Sequence, residues 1–205
     1  VPIVRAAPRL PAGQRAPADM DRDQRQAGFA TGILPVIDRG ELFFQDNQRI
    51  YGLSLDSGLP LAGWAETYAG DRAGRYSIAD AFPTPLGAQL AVTVTDDTVL
   101  SVLGQNDLRA MLYSGNLGAS RESRLVCLDR RTGAERWSFA SRSLNQRDER
   151  TPGRGMELQG TPVVAGDRVF ITAQSASGVQ FQKCELIALD RHTGTLQWRI
   201  YIASA

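Results

Sequence analysis

Residues 125–137 read LVCLDRRTGAERW, and residues 186–198 read LIALDRHTGTLQW. Each stretch is an apolar run followed by Leu-Asp, two variable residues and Thr-Gly, with a tryptophan four residues after the glycine. A weaker copy, IYGLSLDSG, spans residues 50–58, with Ser54 in place of the aspartate and Trp64 displaced by a two-residue insertion. The chain has three tryptophans, and all of them lie at this one repeat position. The sequence is therefore built from repeated units.

A second element precedes each copy of this motif. Two short β-rich runs flank a polar turn at residues 35–44 (PVIDRGELFF), 93–101 (TVTDDTVLS) and 162–171 (PVVAGDRVFI), a pattern typical of a β-hairpin. Each unit therefore reads as strand, turn, strand, loop, strand, Asp-x-x-Thr-Gly turn, strand. The sequence predicts an all-β fold, a β-propeller segment of about three four-stranded antiparallel blades.

The motif residues are predicted to join one blade to the next. The aspartate can accept hydrogen bonds from backbone N–H groups two or three residues on, and the glycine supplies the positive φ that closes the turn. A four-stranded sheet cannot bury both of its faces alone, and tryptophan offers a broad apolar ring for the contact between stacked blades. Trp137→Ala and Trp198→Ala are both expected to be severely destabilising. The predicted blade-docking residues are Gly58, Trp64, Asp129, Thr132, Gly133, Trp137, Asp190, Thr193, Gly194 and Trp198.

The sequence divides into an arm and three blades. Residues 1–30 are rich in proline, alanine and arginine and show no apolar period, which predicts an extended arm or linker. The blades are predicted at about 31–68, 85–140 and 158–205. Antiparallel strand order places four long connections, 68–85, 104–124, 141–160 and 174–183, on one face, where we expect any binding surface. The alternative is that these loops are insertions with no role in binding.

Bulk properties exclude several kinds of partner. A net charge of +1 provides no general field that would gather nucleic acid or anionic lipid. No apolar run approaches the roughly 18 residues that a membrane span needs. Cys127 and Cys184 lie far apart and lack metal-ligand spacing. They are either free thiols on strands or a disulfide between neighbouring blades.

No catalytic site can be assembled from the sequence. The only histidine, His192, is predicted in a tight, solvated turn, which excludes a Ser-His-Asp triad and a zinc site built from cysteine and histidine. Neither a phosphate-binding loop nor a dinucleotide fingerprint is present. Asp129 and Asp190 belong to the repeat and are interpreted as structural. No catalytic, cofactor-binding or metal-binding residue is therefore predicted.

The pattern Ala/Cys-x-Asp-x-x-Thr-Gly-x-x-x-Trp, which begins at Cys127 and at Ala188, resembles the tryptophan-docking motif of the quinoprotein alcohol-dehydrogenase-like propellers. The resemblance covers about residues 31–205. This superfamily includes pyrroloquinoline-quinone dehydrogenases and non-catalytic relatives such as the propeller lipoprotein of the outer-membrane β-barrel assembly machinery. The resemblance implies a larger propeller of seven or eight blades and a location in the periplasm or otherwise outside the cytoplasm.

Two functions follow from these observations. The first is a non-catalytic scaffold or protein-binding propeller without a cofactor, whose partners are the remaining blades of the same propeller or further protein chains. The alternative is a segment of a dehydrogenase that uses pyrroloquinoline quinone and calcium. The resemblance implies that such enzymes hold the quinone with an adjacent Cys-Cys disulfide and a tryptophan floor. This sequence has no adjacent cysteines, so that cofactor site would lie mostly outside it. A sensor or glycan-binding propeller is a third possibility.

Overall fold

The computed structural model describes residues 32–64, 68–69, 89–105, 123–145, 156–177 and 181–204. The chain divides into two units, Val1–Ala30 and Thr31–Ala205, and every described residue lies in the second. The arm predicted for residues 1–30 therefore lies outside the described residues.

Three four-stranded sheets follow one another along the chain. Two short strands, β1 (Gly32–Leu34) and β6 (Gln89–Ala91), directly precede the first two sheets. Blade one consists of β2 (Val36–Asp38), β3 (Glu41–Gln45), β4 (Arg49–Ser54) and β5 (Tyr68–Ala69). Blade two consists of β7 (Thr93–Val94), β8 (Thr98–Leu103), β9 (Arg124–Asp129) and β10 (Glu135–Ala140). Blade three consists of β11 (Met156–Ala165), β12 (Arg168–Ser177), β13 (Phe181–Asp190) and β14 (Leu196–Ser204).

Each blade is an antiparallel meander whose strands lie side by side in chain order. The three predicted hairpins form β2–β3, β7–β8 and β11–β12, with turns at residues 39–40, 95–97 and 166–167. The predicted all-β fold, made of four-stranded antiparallel propeller blades, is confirmed.

The first strands of successive blades meet, β2 with β7 and β7 with β11, and the short strands that precede the first two blades pair as well. β1 pairs in parallel with β6, in the register Gly32 to Gln89 and Leu34 to Ala91. β6 and β7 in turn contact β11. Contact among the first strands is the arrangement expected where blades converge on a common axis. The repeat pattern does not predict the parallel pair, because both strands are too short to produce a pattern of their own.

The hydrophobic core lies between the blades. One buried cluster joins blade one to blade two and includes Phe43, Ile50 and Val99. A larger one joins blade two to blade three and includes Leu100 and Ile187. We call these contacts the first and second seams. Each sheet thus buries its apolar side chains against the next sheet, as stacking requires.

Two predicted connections contain regular structure. Most of the connection expected at 174–183 is strand, because β12 continues to Ser177 and β13 begins at Phe181. Within the expected 141–160 connection, Arg142–Asn145 form a one-turn helix, α1, and β11 already begins at Met156. Leu144 of α1 is 2% exposed and packs into the second seam. The burial of this side chain stabilises the helical turn. Within the described ranges, no helix has the length and apolar character needed to cross a membrane.

Candidate functional site

Two of the three tryptophans lie between blades. Trp64 is 1% exposed, and its Nε1 donates a hydrogen bond of 2.8 Å to the carbonyl of Arg130 in blade two. Trp137 is 7% exposed, and its Nε1 donates a bond of 2.8 Å to the carbonyl of Arg191 in blade three. Both acceptors directly follow the aspartate in the last turn of the next blade. The same donor thus meets the equivalent acceptor in both seams.

A β-bulge precedes the tryptophan in blades two and three. The pairing of β10 with β9 shifts between Glu135 and Trp137, so Arg136 is the extra residue. The pairing of β14 with β13 shifts in the same way just before Trp198. Bulges increase the local twist of a strand and redirect its side chains. In blade two the indole that follows this bulge lies against blade three.

Each docked ring covers a glycine of the next blade, which we call its socket. Gly133 and Gly194 both have φ of +69°, a conformation that favours glycine. A Cβ on Gly133 would lie 3.0 Å from Cδ2 of Trp64, and a Cβ on Gly194 would overlap Cε3 of Trp137. Two features therefore favour glycine at each socket: the positive φ of its backbone and the tryptophan ring packed against it.

Within the described residues, Trp198 meets no socket glycine and Gly58 receives no tryptophan ring. Trp198 is 37% exposed, and its ring lies 5.8 Å from that of Phe170 in its own blade. Gly58 has the socket φ of +68°, yet no atom of the described residues lies within 4 Å of the position that its Cβ would take. The exposure of Trp198 does not support the expectation that Trp198→Ala would be severely destabilising.

The repeated aspartates organise the last turn of their own blades. The Oδ1 atom of Asp129 accepts hydrogen bonds from the backbone N–H of Arg131 at 3.1 Å and from both the N–H and the hydroxyl of Thr132 at 2.9 Å. Asp190 repeats the pattern with the backbone N–H groups of the two residues at 192–193, each at 2.9 Å. In blade one the hydroxyl of Ser54 accepts a longer bond of 3.4 Å from the N–H of Ser57.

An ion pair with arginine lowers the pKa of the aspartate in the last turn of blade two. Arg136 donates to Asp129 at 2.8 Å and, helped by the bonds from Thr132, lowers the pKa of that carboxyl to about 2. The other guanidinium nitrogen of Arg136 donates to Asp97 at 2.8 Å, which lowers the pKa of Asp97 as well. Both carboxylates are therefore charged throughout the neutral range.

Sequence reasoning missed an arginine clamp across the seams. The side chain of Arg130 is 7% exposed and reaches back into blade one, where Nη1 lies 2.6 Å from Asp38 and Nη2 lies 2.7 Å from Glu41. Arg191, its counterpart in blade three, reaches back to Asp97 of blade two at 2.6 Å. The available signal was an arginine directly after the aspartate in both strong repeats. Its partners could not be predicted, because they lie 92 and 94 residues away.

A cleft of about 570 Å³ opens above the first seam, on the face that carries the short turns. Its charges pair with one another: Arg39 pairs with Asp96, and Arg136 bridges Asp97 and Asp129. Its walls are a mixture of four arginines, four carboxylates and two apolar side chains, namely Arg39, Glu41, Leu61, Ala62, Asp96, Asp97, Asp129, Arg130, Arg131 and Arg136. Since the signs balance, the cleft offers no strong preference for an anion or a cation.

Polar side chains link all three blades on the opposite face. Asn47 has φ of +72°, and its side-chain amide exchanges two bonds with the backbone of Gln105 in blade two, at 2.8 and 2.9 Å. The side-chain oxygen of Gln105 accepts a bond of 3.4 Å from the N–H of Gly160 in blade three. The long connections predicted to form a binding surface on this face fall largely at residues 70–88, 106–122 and 146–155, which lie outside the described residues.

The remaining reactive side chains are separated. His192 lies in the exposed last turn of blade three, with Nε2 3.6 Å from a carboxylate oxygen of Asp167. Cys127 and Cys184 are both free thiols, so no disulfide joins the two strands that carry them. Burial raises the pKa of the Cys127 thiol to about 11. Among the residues that the structure describes, no group of three histidine, cysteine, aspartate or glutamate side chains could hold a metal ion.

Comparisons with known proteins agree with this architecture. Residues 109–205 match the family model described as outer membrane protein assembly factor BamB. No curated protein matches the chain significantly. The solved quinohemoprotein alcohol dehydrogenase ADHIIG from Pseudomonas putida HK5 is similar, with a TM-score of 0.52 and 19% identity over 85% of this chain and 21% of that one. The quinohemoprotein alcohol dehydrogenase from Comamonas testosteroni has a TM-score of 0.52 and 17% identity over the same shares, 85% and 21%.

These similarities concern the fold. The chain spans 21% of the length of each of these dehydrogenases, and the identities of 19% and 17% carry no residue roles across. The resemblance predicted from the repeats is nevertheless confirmed by both the family match and the solved structures. Its four-stranded sheets form a β-propeller segment similar in fold to these quinohemoprotein alcohol dehydrogenases, and residues 109–205 resemble the BamB family.

Proposed function

We propose that this chain is a non-catalytic propeller scaffold that acts by binding protein. The observation that carries the proposal is the apolar side of blade three that faces away from blade two. Val163, Trp198 and Ile200 are 58%, 37% and 57% exposed there, although each lies on a regular strand. An apolar surface of this kind on a folded sheet is typical of a protein contact.

The repeat residues support the same function. The tryptophans, socket glycines and repeated aspartates of both seams take part in blade contacts or turn bonds. The charged groups of the cleft neutralise one another. The motif residues thus have structural roles, which is what a non-catalytic scaffold requires. We also propose that the long connections form a second contact surface, and that the protein works outside the cytoplasm like the proteins it resembles.

Site-specific photo-crosslinking in cells tests this function. A photoreactive amino acid at Ile200 is expected to give a discrete protein adduct, which is lost when Trp198→Ala is added. The same probe at Asp56, an exposed turn residue of blade one, serves as the control. Equal and diffuse labelling at both positions would contradict a defined protein contact at blade three.

A segment of a quinone-dependent dehydrogenase is the second candidate, favoured by the structural likeness to two quinohemoprotein alcohol dehydrogenases. The described residues do not fit a quinone and calcium site. Trp64 and Trp137 are buried in seams, and Cys127 and Cys184 are free thiols 57 residues apart in the sequence. We therefore assign no catalytic step to these residues.

Addition of pyrroloquinoline quinone and calcium to the full-length protein separates the two candidates, because a quinone site would lie mostly outside this chain. The scaffold proposal predicts no dye-linked alcohol oxidation and an unchanged melting temperature. Saturable turnover would overturn the proposal and favour the dehydrogenase.

A further inference from the structure

The cleft above the first seam owes its apolar wall to a departure from the repeat. In blade one the tryptophan follows the turn glycine by six positions instead of four, which lengthens the last turn. Within this longer turn, Gly63 has φ of +94°, and a Cβ there would lie 2.8 Å from the carbonyl oxygen of Arg131 in blade two. The neighbouring Leu61 and Ala62 line the cleft. The docking contacts of the two seams do not involve this wall.

A second departure from the repeat lies at the tip of the first hairpin of blade one. Arg39 has φ of +51° and is followed by Gly40 with φ of +76°. Two-residue hairpin turns of this conformation favour asparagine, aspartate or glycine, and blade three has Gly166 at the first position of its turn. An arginine in this region of φ is strained, yet its side chain lines the cleft. Strain of this kind is concentrated at functional positions.

The charged side chains of the cleft form two groups of opposite net charge. Five of them are joined by ion pairs and form what we call the floor: Glu41, Asp97, Asp129, Arg130 and Arg136. The other three are exposed turn residues and form the rim: Arg39, Asp96 and Arg131. The floor has three carboxylates and two guanidinium groups, whereas the rim has two guanidinium groups and one carboxylate. The cleft is therefore neutral as a whole but dipolar, with a negative floor and a positive rim.

The rim contains a guanidinium that is available to a ligand. Among the residues that the structure describes, no carboxylate pairs with the side chain of Arg131. Its backbone is held in place, because its N–H donates a bond of 3.1 Å to Asp129. A guanidinium in this position can bind a carboxylate through two parallel hydrogen bonds.

The negative excess of the floor lies on the blade one side. Glu41 shares the guanidinium of Arg130 with Asp38, so two carboxylates there face one positive charge. The Glu41 side chain is 30% exposed and lines the cleft, where it can accept a further donor. An ammonium group would supply that donor and the missing charge.

We infer that this cleft binds a short peptide with free termini, whose ammonium group meets Glu41 and whose carboxylate meets Arg131. Leu61 provides the contact for an apolar side chain of the peptide. A simple anion or cation would meet one favourable end and one unfavourable end, whereas a zwitterion is matched at both. The volume of about 570 Å³ lies in the range of small-molecule sites. This site is separate from the protein contact proposed for blade three.

Titration calorimetry with the dipeptide leucyl-leucine at neutral pH and low salt provides the test. Saturable binding is expected. The N-acetylated dipeptide lacks the ammonium group, and the C-terminal amide lacks the carboxylate. Each capped form should bind at least about fivefold more weakly, because it has lost one of the two charged contacts.

Variants assign each end of the peptide to its residue. Arg131→Ala should weaken leucyl-leucine at least about fivefold and leave the affinity of the amide unchanged, because the amide has no carboxylate to lose. Glu41→Gln should weaken leucyl-leucine and leave the N-acetylated form unchanged. Arg168→Ala is the matched control, since Arg168 is an exposed arginine that does not line the cleft. Circular dichroism establishes that each variant keeps its strands, and Arg131→Ala tests the site even if Glu41→Gln does not fold.

Three results would overturn the inference. They are the absence of saturable binding, capped dipeptides that bind as tightly as the free one, and an Arg131→Ala loss that is the same for the free and the amidated forms. None of them affects the photo-crosslinking expected at Ile200, so an error in this site can be distinguished from an error in the proposed function.

Discussion

At the scale of single residues, the seams depend on a ring set against a glycine. Trp137 combines burial, a hydrogen bond to the carbonyl of Arg191 and contact with Gly194. Trp198 follows the same Asp-x-x-Thr-Gly turn but is 37% exposed. The sequence predicts the position of both rings, because the motif is local. It cannot predict their different burial, because burial depends on what lies beyond the blade.

The two tryptophans should therefore differ as alanine variants. Trp137→Ala is expected to lower the free energy of unfolding by about 3–5 kcal/mol, since it leaves a cavity in the second seam and an unpaired carbonyl. Trp198→Ala is the matched control, and it should cost clearly less, about 1–2 kcal/mol, because its ring is already partly exposed. Urea unfolding followed by circular dichroism measures both. Equal losses would show that the position of the ring, and not its docking, determines stability.

The two cysteines should also react differently. Burial raises the pKa of the Cys127 thiol to about 11, so almost no thiolate is present at pH 8, and the side chain is 0% exposed. Cys184 is only partly buried. We expect one rapidly labelled thiol per chain when the folded protein meets a thiol-specific disulfide reagent, and two in urea. Rapid labelling that persists in Cys184→Ser would contradict the burial of Cys127.

At the scale of elements, the last turn of each blade has the same backbone conformation. The three turns share a glycine φ of 68–69°, although blade one has Ser54 where the others have aspartate. This degree of regularity could be predicted from the sequence, because the bonds join residues two or three apart. Helix α1 could not, since it is held by the burial of Leu144 against another blade.

This turn should make stability depend on acid pH. The pKa of Asp129 is about 2 in the folded chain, below its ordinary value of 3.8, so its contribution is present above about pH 4 and is lost as the pH falls toward 2. Between pH 6 and pH 3 we expect a loss of about 1 kcal/mol from this group. Asp129→Asn should show a flatter dependence in urea unfolding at the two pH values. An unchanged slope would mean that Arg136 does not hold the charged form.

At the scale of the whole molecule, the blades are joined by contacts between distant parts of the chain. The arginine clamp, the Asn47 link and the parallel pair of β1 with β6 all bridge residues more than 50 positions apart. The repeat predicts the blades and their order but not these links. Their partners lie in turns and short strands whose own sequences vary from unit to unit.

The clamp should contribute to stability across the first seam. Arg130→Ala removes two ion pairs and a guanidinium that lies 5.7 Å from the centre of the Phe43 ring. We expect a loss of about 1–3 kcal/mol, limited because the two carboxylates left behind can be solvated. Arg131→Ala, at the adjacent exposed position, is the matched control and should stay within about 0.5 kcal/mol. Indistinguishable unfolding midpoints for the two variants would show that the Arg130 clamp does not stabilise the fold.

A double-mutant cycle between Trp137 and Gly194 tests most directly that each blade docks on the next through ring and socket. In the parent chain Gly194→Ala forces a Cβ against the ring and should cost at least about 2 kcal/mol more than in a Trp137→Leu background, where only the strain of positive φ remains. Gly58→Ala, with the same φ and an empty socket, should match that background value. A cost of Gly194→Ala that is the same with and without the indole would contradict the docking of blade two on blade three.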